Sequence, residues 1–153
     1  MQPLHPNQIW VLRIRGLITF LFLLVPAVLV DIGPLRDTNV PAGLLPGALA
    51  LLALLALIVL LRRRYRAWGY QESEDELQVR HGVWTRVRTV VPFGRVQHID
   101  VAQGPIERPF GLATLILHTA GTRGAAVPLP GLLHADAEAM RDRIRAKIRQ
   151  DLV

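Results

Sequence analysis

The 153-residue chain has no cysteine. That removes a disulfide framework, cysteine-ligated zinc and thiol catalysis, and it leaves the compartment open because cytosolic proteins also lack disulfides. Lysine is nearly absent too: Lys147 is the only one, so the formal charge of +6 is carried by arginine. Charge itself is missing from two long stretches, 16–30 and 38–61. Apolar residues make up 51 % of the chain and gather in its first sixty positions. What remains is roughly 90 residues, enough for one small domain with a modest core.

The two uncharged stretches read as a membrane hairpin. Met1 to Gln8 is polar with two prolines and is expected to be a frayed or interfacial start. Gly16 to Val30 alone covers about 22 Å, short of a hydrocarbon core of about 30 Å. Including Ile9 to Leu12 makes it long enough, with Arg13 and Arg15 snorkelling to the interface. A secretory signal is the alternative, but no small-residue cleavage site follows Val30 and a second apolar span comes soon after. Asp31 to Pro46 is rich in Gly and Pro and turns the chain. The spans are placed at about 10–31 and 43–62, giving a hairpin over 1–66 and a soluble domain over 67–153. Arg13 and Arg15 flank one end of the first span, and Arg62, Arg63, Arg64 and Arg66 the far end of the second. The positive-inside rule then puts both termini in the cytoplasm. Tyr65, Trp68 and Tyr70 beside these arginines read as an aromatic belt, as the start of the next domain, or as both.

After Trp68 the hydrophobic period changes from helix to strand. Leu77 and Val79 alternate with Gln78 and Arg80. His81-Gly82 reads as a two-residue hairpin connection. Val83, Thr85, Val87, Thr89 and Val91 then form one face of a second strand, with Trp84, Arg86, Arg88 and Val90 on the other. A third strand over 96–103 puts Val96, His98 and Asp100 on one face and Gln97, Ile99 and Val101 on the other. Gly104-Pro105 turns the chain; strands over 113–119 and 125–129 follow, joined by a turn over 120–124 and ended by Pro130-Gly131. Asp136 is the N-cap expected for a last helix, whose apolar stripe is Ala137, Met140, Ile144, Ile148 and Leu152. Arg141, Arg145 and Arg149 form a basic row beside it. The pattern predicts an α+β chain: a two-helix transmembrane hairpin, then short strands closed by an amphipathic C-terminal helix, the outline of a pleckstrin-homology (PH)-like β-sandwich or partly open barrel whose topology pattern alone does not fix.

No arrangement carries a catalytic signature. His98 and Asp100 share a strand face, and His118 on the next strand can come near them. A metal needs a fuller ligand set, and nucleophilic catalysis an activated Ser or Cys. The group reads as a structural hydrogen-bond network. No catalytic, cofactor-binding or metal-ligating residue is assigned. Glu107 and Arg108 read as a loop ion pair or as partners of Arg95 and Asp100, and Gln97, Gln103 and Gly104 as loop-fixing residues. Trp84, Arg86 and Arg88, with Arg62, Arg63, Arg64 and Arg66, are the candidates for a lipid or partner surface, since Arg binds phosphate and Trp sits at headgroup level.

The run Leu77-Gln78-Val79-Arg80-His81-Gly82-Val83, then Val91 through Val101, Gln103-Gly104-Pro105-Ile106-Glu107-Arg108, Phe110-Gly111-Leu112-Ala113, Leu117-His118-Thr119-Ala120-Gly121 and Pro130-Gly131-Leu132 resembles the bacterial PH-like membrane proteins of the YdbS-like family. The resemblance covers nearly the whole chain. It implies a two-helix anchor, a cytoplasmic PH-like domain, no enzyme activity and no cofactor. It also implies Arg95, Gln97, His98, Asp100, Gln103, Gly104, Glu107, Arg108 and His118 as one structural network. As partners it implies the lipid bilayer and either a larger membrane protein with repeated PH-like domains or a second copy. Many eukaryotic PH domains hold phosphoinositides with a basic loop, and a His81-Gly82 connection is too short for that. The expected role is an adaptor or complex subunit at the inner membrane of a bacterium, with an anionic-lipid sensor as the alternative. Nucleic acid is not expected, since a membrane anchor argues against a DNA reader.

Overall fold

The computed structural model describes residues 1–33, 41, 43–120 and 126–150. Residues 121–124 of the expected turn, half of the 31–46 connection and Leu152 lie outside the described residues. Two compact units are present: Leu12–Arg63, and Met1–Val11 together with Arg64–Val153.

The first unit holds most of helices α1 (Gln8–Ile32) and α2 (Leu44–Ala67). With 25 and 24 residues, both are long and apolar enough to cross a membrane. Pro26 lies inside α1. Its missing N–H and ring clash are tolerated in a membrane helix because neighbours and local adjustment re-satisfy the backbone. Gly16 sits directly under the tip of Leu57, where a Cβ would collide. A small residue at this point lets two helices approach closely. Asp31 accepts a hydrogen bond from the Gly43 amide (2.8 Å), a donor that precedes the first turn of α2.

The second unit contains two antiparallel three-stranded sheets. Sheet A has the order β1 (Gly69–Glu72), β2 (Glu76–His81), β3 (Val87–Pro92); sheet B has β4 (Val96–Ala102), β5 (Leu112–Thr119), β6 (Ala126–Leu133). The sheets stay open, and α3 (His134–Gln150) packs on them. Leu77, Val79 and Val91 from sheet A meet Leu115, Leu117 and Leu129 from sheet B, with Phe93 between and Ala137, Met140 and Ile144 of α3 closing the core. This is the expected α+β PH-like fold.

Several local expectations are corrected. The β2–β3 connection is Gly82–Arg86, five residues and not two, because β2 ends at His81, whose partner is Val87. Val83 and Thr85 keep the strand alternation but have no partner strand among the described residues, and Gly82 turns the chain at φ +102°. At five residues the connection is not too short for a basic loop. A β-bulge between Val96 and His98 flips the side-chain alternation of β4. Val96 is thus buried while His98 and Asp100 face out, and Ile99 and Val101 pack on the core. Pro130-Gly131 does not end β6, which runs on to Leu133. β6 is an edge strand, where a missing N–H is tolerated. Gly131, at φ +73°, absorbs a register shift opposite β5. α3 starts at His134, so Asp136 lies in its first turn, where its charge still suits the helix dipole.

The N-terminus is not frayed. Gln2 pairs with Tyr70 on the edge of β1 through bonds of 2.6 and 3.0 Å. Leu4 is buried in the core, and its carbonyl accepts the Tyr65 hydroxyl (2.8 Å). The His5 amide donates to the Gly131 carbonyl (2.8 Å). The segment before the first helix thus ties β1 of one sheet to β6 of the other. Tyr65, Trp68 and Tyr70 all pack against the core.

Candidate functional site

The exposed face of sheet A follows from its register. Arg80 stands opposite Arg88, and Gly69 opposite Arg80 on the other side. Two like charges directly opposed across strands destabilise a sheet. Arg80 makes no ion pair among the described residues, and its guanidinium lies over the bare Cα of Gly69. Arg88 donates through two of its nitrogens to the Gln78 side-chain oxygen, and Gln78 donates in turn to Glu76 (2.5 Å). Its charge is held by a neutral amide and stays available. Trp84 and Arg86 project from the Gly82–Arg86 loop beside them, with Trp84 85 % exposed. An indole this open in an otherwise well-packed unit is unusual. The other end of the same sheet is acidic: Glu72, Glu74, Asp75 and Glu76 surround the β1–β2 turn. Sheet A is therefore polarised along its strands.

His98, Asp100 and His118 come together as expected. Asp100 Oδ1 lies 2.6 Å from His98 Nε2, and its Oδ2 lies 3.1 Å from His118 Nε2. The two rings stand 5.7 Å apart. One carboxylate thus bridges two imidazoles across the β4–β5 pair. The cluster lies on the open face of sheet B, and no metal-binding group of three His, Cys, Asp or Glu occurs among the described residues.

The loop after β4 is built around a buried acid. Glu107, 4 % exposed, accepts from the Gly104 amide (2.8 Å) and from the Thr114 hydroxyl (3.3 Å). Gln103 donates to the Leu112 carbonyl (2.9 Å), and Gly111 turns at φ +64°. Arg95 and Arg108 are exposed in short 3-10 turns, where their carbonyls accept the amides of Ala120 and Gly111. These residues set the geometry of strand ends. Arg62, Arg63, Arg64 and Arg66 are exposed along the end of α2, and the last two lie in its final turn, where positive charge suits the helix dipole.

Two further features were not legible in the sequence. A groove of about 380 Å³ runs between the free edge of β4 and α3, lined by Val96, Gln97, His98, Ile99, Arg141, Arg145, Ile148 and Arg149. No carboxylate among the described residues lines it. Arg141 is engaged by Asp142 and Glu138, whereas Arg145 and Arg149 form no salt bridge among the described residues. The four-residue spacing of the arginines revealed the row, but not that it faces β4. The second feature is a cleft of about 750 Å³ between the N-terminal segment, β1 and α3. Glu72 clasps Arg143 with both oxygens (3.2 and 2.8 Å), and Lys147 donates to the Ser73 carbonyl (3.0 Å) over the ring of Phe93. Burial pushes the Tyr70 hydroxyl above its usual value, and Asp136 and Glu72 add to the shift. Arg143 is held protonated by its bond to Glu72.

A helical membrane hairpin joined to two open antiparallel sheets and a closing C-terminal helix defines a membrane-anchored PH-like protein. The family model described as Bacterial PH domain matches residues 14–148. The chain belongs to this family of bacterial PH-domain proteins, in its YdbS-like branch. It is similar to the UPF0699 transmembrane protein YdbS of Bacillus subtilis (strain 168), with 31 % identity over 103 residues. The match takes in 67 % of this chain and 63 % of that relative, so the chain spans less than two thirds of the relative's length. No solved structure matches.

Proposed function

We propose that the protein is a non-enzymatic subunit of a bacterial membrane complex. Its hairpin holds the PH-like unit at the cytoplasmic face of the inner membrane, and that unit binds a second protein. The observation that carries this reading is the groove between β4 and α3. An edge strand offers unpaired backbone groups, and an extended segment can add to it as a further strand. Arg145 and Arg149 beside that edge favour a segment that is acidic. The partner is a larger membrane protein with PH-like domains, or a second copy of this chain, whose exposed Glu74-Asp75 turn has the right charge.

The arginine distribution supports the orientation. The pairing of Gln2 with Tyr70 supports both ends of the hairpin lying on one side of the membrane. The His98–Asp100–His118 group acts as a clamp between strands, one carboxylate joining two imidazoles across the β4–β5 pair. Trp84 and its arginines favour a second role, contact with anionic lipid.

Purification in mild detergent tests the main reading. The wild type should bring down a partner or an oligomer, and Arg145→Glu with Arg149→Glu should release it. A monomer from native membranes at every detergent concentration sinks the proposal.

A further inference from the structure

We propose that the Gly82–Arg86 loop enters the headgroup layer of the same membrane that holds the protein's anchor. Trp84 sits at headgroup level there, and Arg80, Arg86 and Arg88 meet anionic phosphates. The inference rests on the reading that α1 and α2 span that membrane.

Connectivity along the chain supplies the argument. The uncharged run of α2 ends at Leu61, and the helix continues through the arginines to Ala67. Six residues of helix cover about 9 Å. The headgroup region of one leaflet is of similar thickness, about 5–8 Å. The next residue, Trp68, stacks on His81 with ring centroids 5.0 Å apart. Gly69 then opens β1 opposite Arg80. The chain therefore enters sheet A at the end that carries His81, and the Gly82–Arg86 loop begins one residue later. The opposite end of the sheet is the acidic one.

The chemistry of the two ends agrees with this placement. An anionic leaflet attracts arginines near its surface and repels carboxylates. The basic end, with its opposed and unneutralised Arg80 and Arg88, is the end nearest the helix exit. The acidic turn, Glu72 to Glu76, is about four to five strand residues away, roughly 15 Å at the usual rise. Trp is the side chain most suited to the interface because its body is apolar and its N–H still finds a partner. Val87, exposed at the start of β3, extends the apolar rim next to it. Such a contact would fix the tilt of the PH-like unit and so present the β4–α3 groove in a defined direction.

The test uses the full chain in phosphatidylcholine bilayers and in bilayers mixed with phosphatidylglycerol, carrying lipids brominated near the glycerol level. The Trp84 signal is the difference between wild type and Trp84→Phe, with Trp10 and Trp68 common to both. The proposal expects this signal to be quenched by the brominated lipid in the anionic bilayer. Raising the salt should weaken the quenching. In Arg80→Gln and in Arg88→Gln the ratio of engaged to free loop should fall about fivefold for each arginine removed. A Trp84 signal that the lipid leaves untouched, but that aqueous acrylamide quenches in the anionic bilayer, overturns the proposal. So does a signal that becomes shielded only when a partner protein is co-reconstituted. Alkaline extraction of the same samples separates the two failures: protein released at high pH refutes the spanning helices, whereas retained protein with an unquenched Trp84 refutes the loop contact alone.

Discussion

Replacing Leu4 with Ala tests the N-terminal strap. Leu4 is 2 % exposed and belongs to the same cluster as Leu77, Leu115 and Leu129. A buried Leu→Ala change costs about 2–5 kcal/mol, the spread reflecting how far the site can collapse. Leu4 sits on a terminal segment that can shift, so the lower part of that range applies, about 2–3 kcal/mol. The backbone bonds of Gln2 and His5 and the Tyr65 hydroxyl bond depend on the segment staying docked, so they loosen with it. For a unit of this size each kcal/mol moves the midpoint by about 4–8 °C, so the melting temperature should drop by about 10–20 °C. The full chain in detergent is the sample, and the probe is the fluorescence of Trp68, whose ring stacks on His81 in the soluble unit. Hydrogen exchange at Tyr70 gives an independent reading, because its amide donates to the Gln2 carbonyl and is otherwise on a sheet edge. Its protection should fall in Leu4→Ala. A melting temperature within about 1 °C of wild type, with Tyr70 protection unchanged, would refute the strap.

Other expectations follow from single contacts. Gly131→Ala should cost about 1–3 kcal/mol by denaturant melt, because φ is +73° and the new Cβ meets Gln8. Asp100→Asn should cost under about 1 kcal/mol, since the three side chains are partly exposed, and partner binding should survive it; loss of function at unchanged stability would point to chemistry at this cluster instead. The raised Tyr70 pKa means that the folded state holds its proton longer than the unfolded state, so stability should fall as pH rises above about 10, and ultraviolet titration should show Tyr70 ionising above its usual value; unaltered stability in that window, or ordinary titration, contradicts the buried setting. A fragment starting at Trp68 should be less stable than one that also carries the N-terminal segment, since it leaves the Leu4 site empty and the Tyr70 amide unpaired.

The parts of this fold legible from sequence were those set by local periodicity. Uncharged runs marked α1 and α2, strict alternation marked Leu77 and Val79 as core, and the three-and-four spacing of Ala137, Met140 and Ile144 gave the buried face of α3. The cluster of His98, Asp100 and His118 was also legible, because adjacent antiparallel strands bring such residues opposite one another. Where pairing decides, pattern failed. Val83 and Thr85 alternate like a strand but have no strand to pair with among the described residues. The bulge at β4 reverses a face without any sequence mark as plain as a glycine. Pro130-Gly131 is a breaker in isolation and an edge-strand irregularity in context. The docking of Gln2, Leu4 and His5 depends on contacts more than sixty residues away, which no local window contains. The β4–α3 groove is of the same kind, an arginine row seen in sequence whose facing strand was not.

A photo-reactive residue in place of Gln97, in the groove, measures the central claim most directly when the full chain is irradiated in its native membrane. The account predicts a cross-linked product with a second protein or a second copy, and its loss in Arg145→Glu with Arg149→Glu. The absence of any protein adduct from a folded, membrane-retained sample would contradict it.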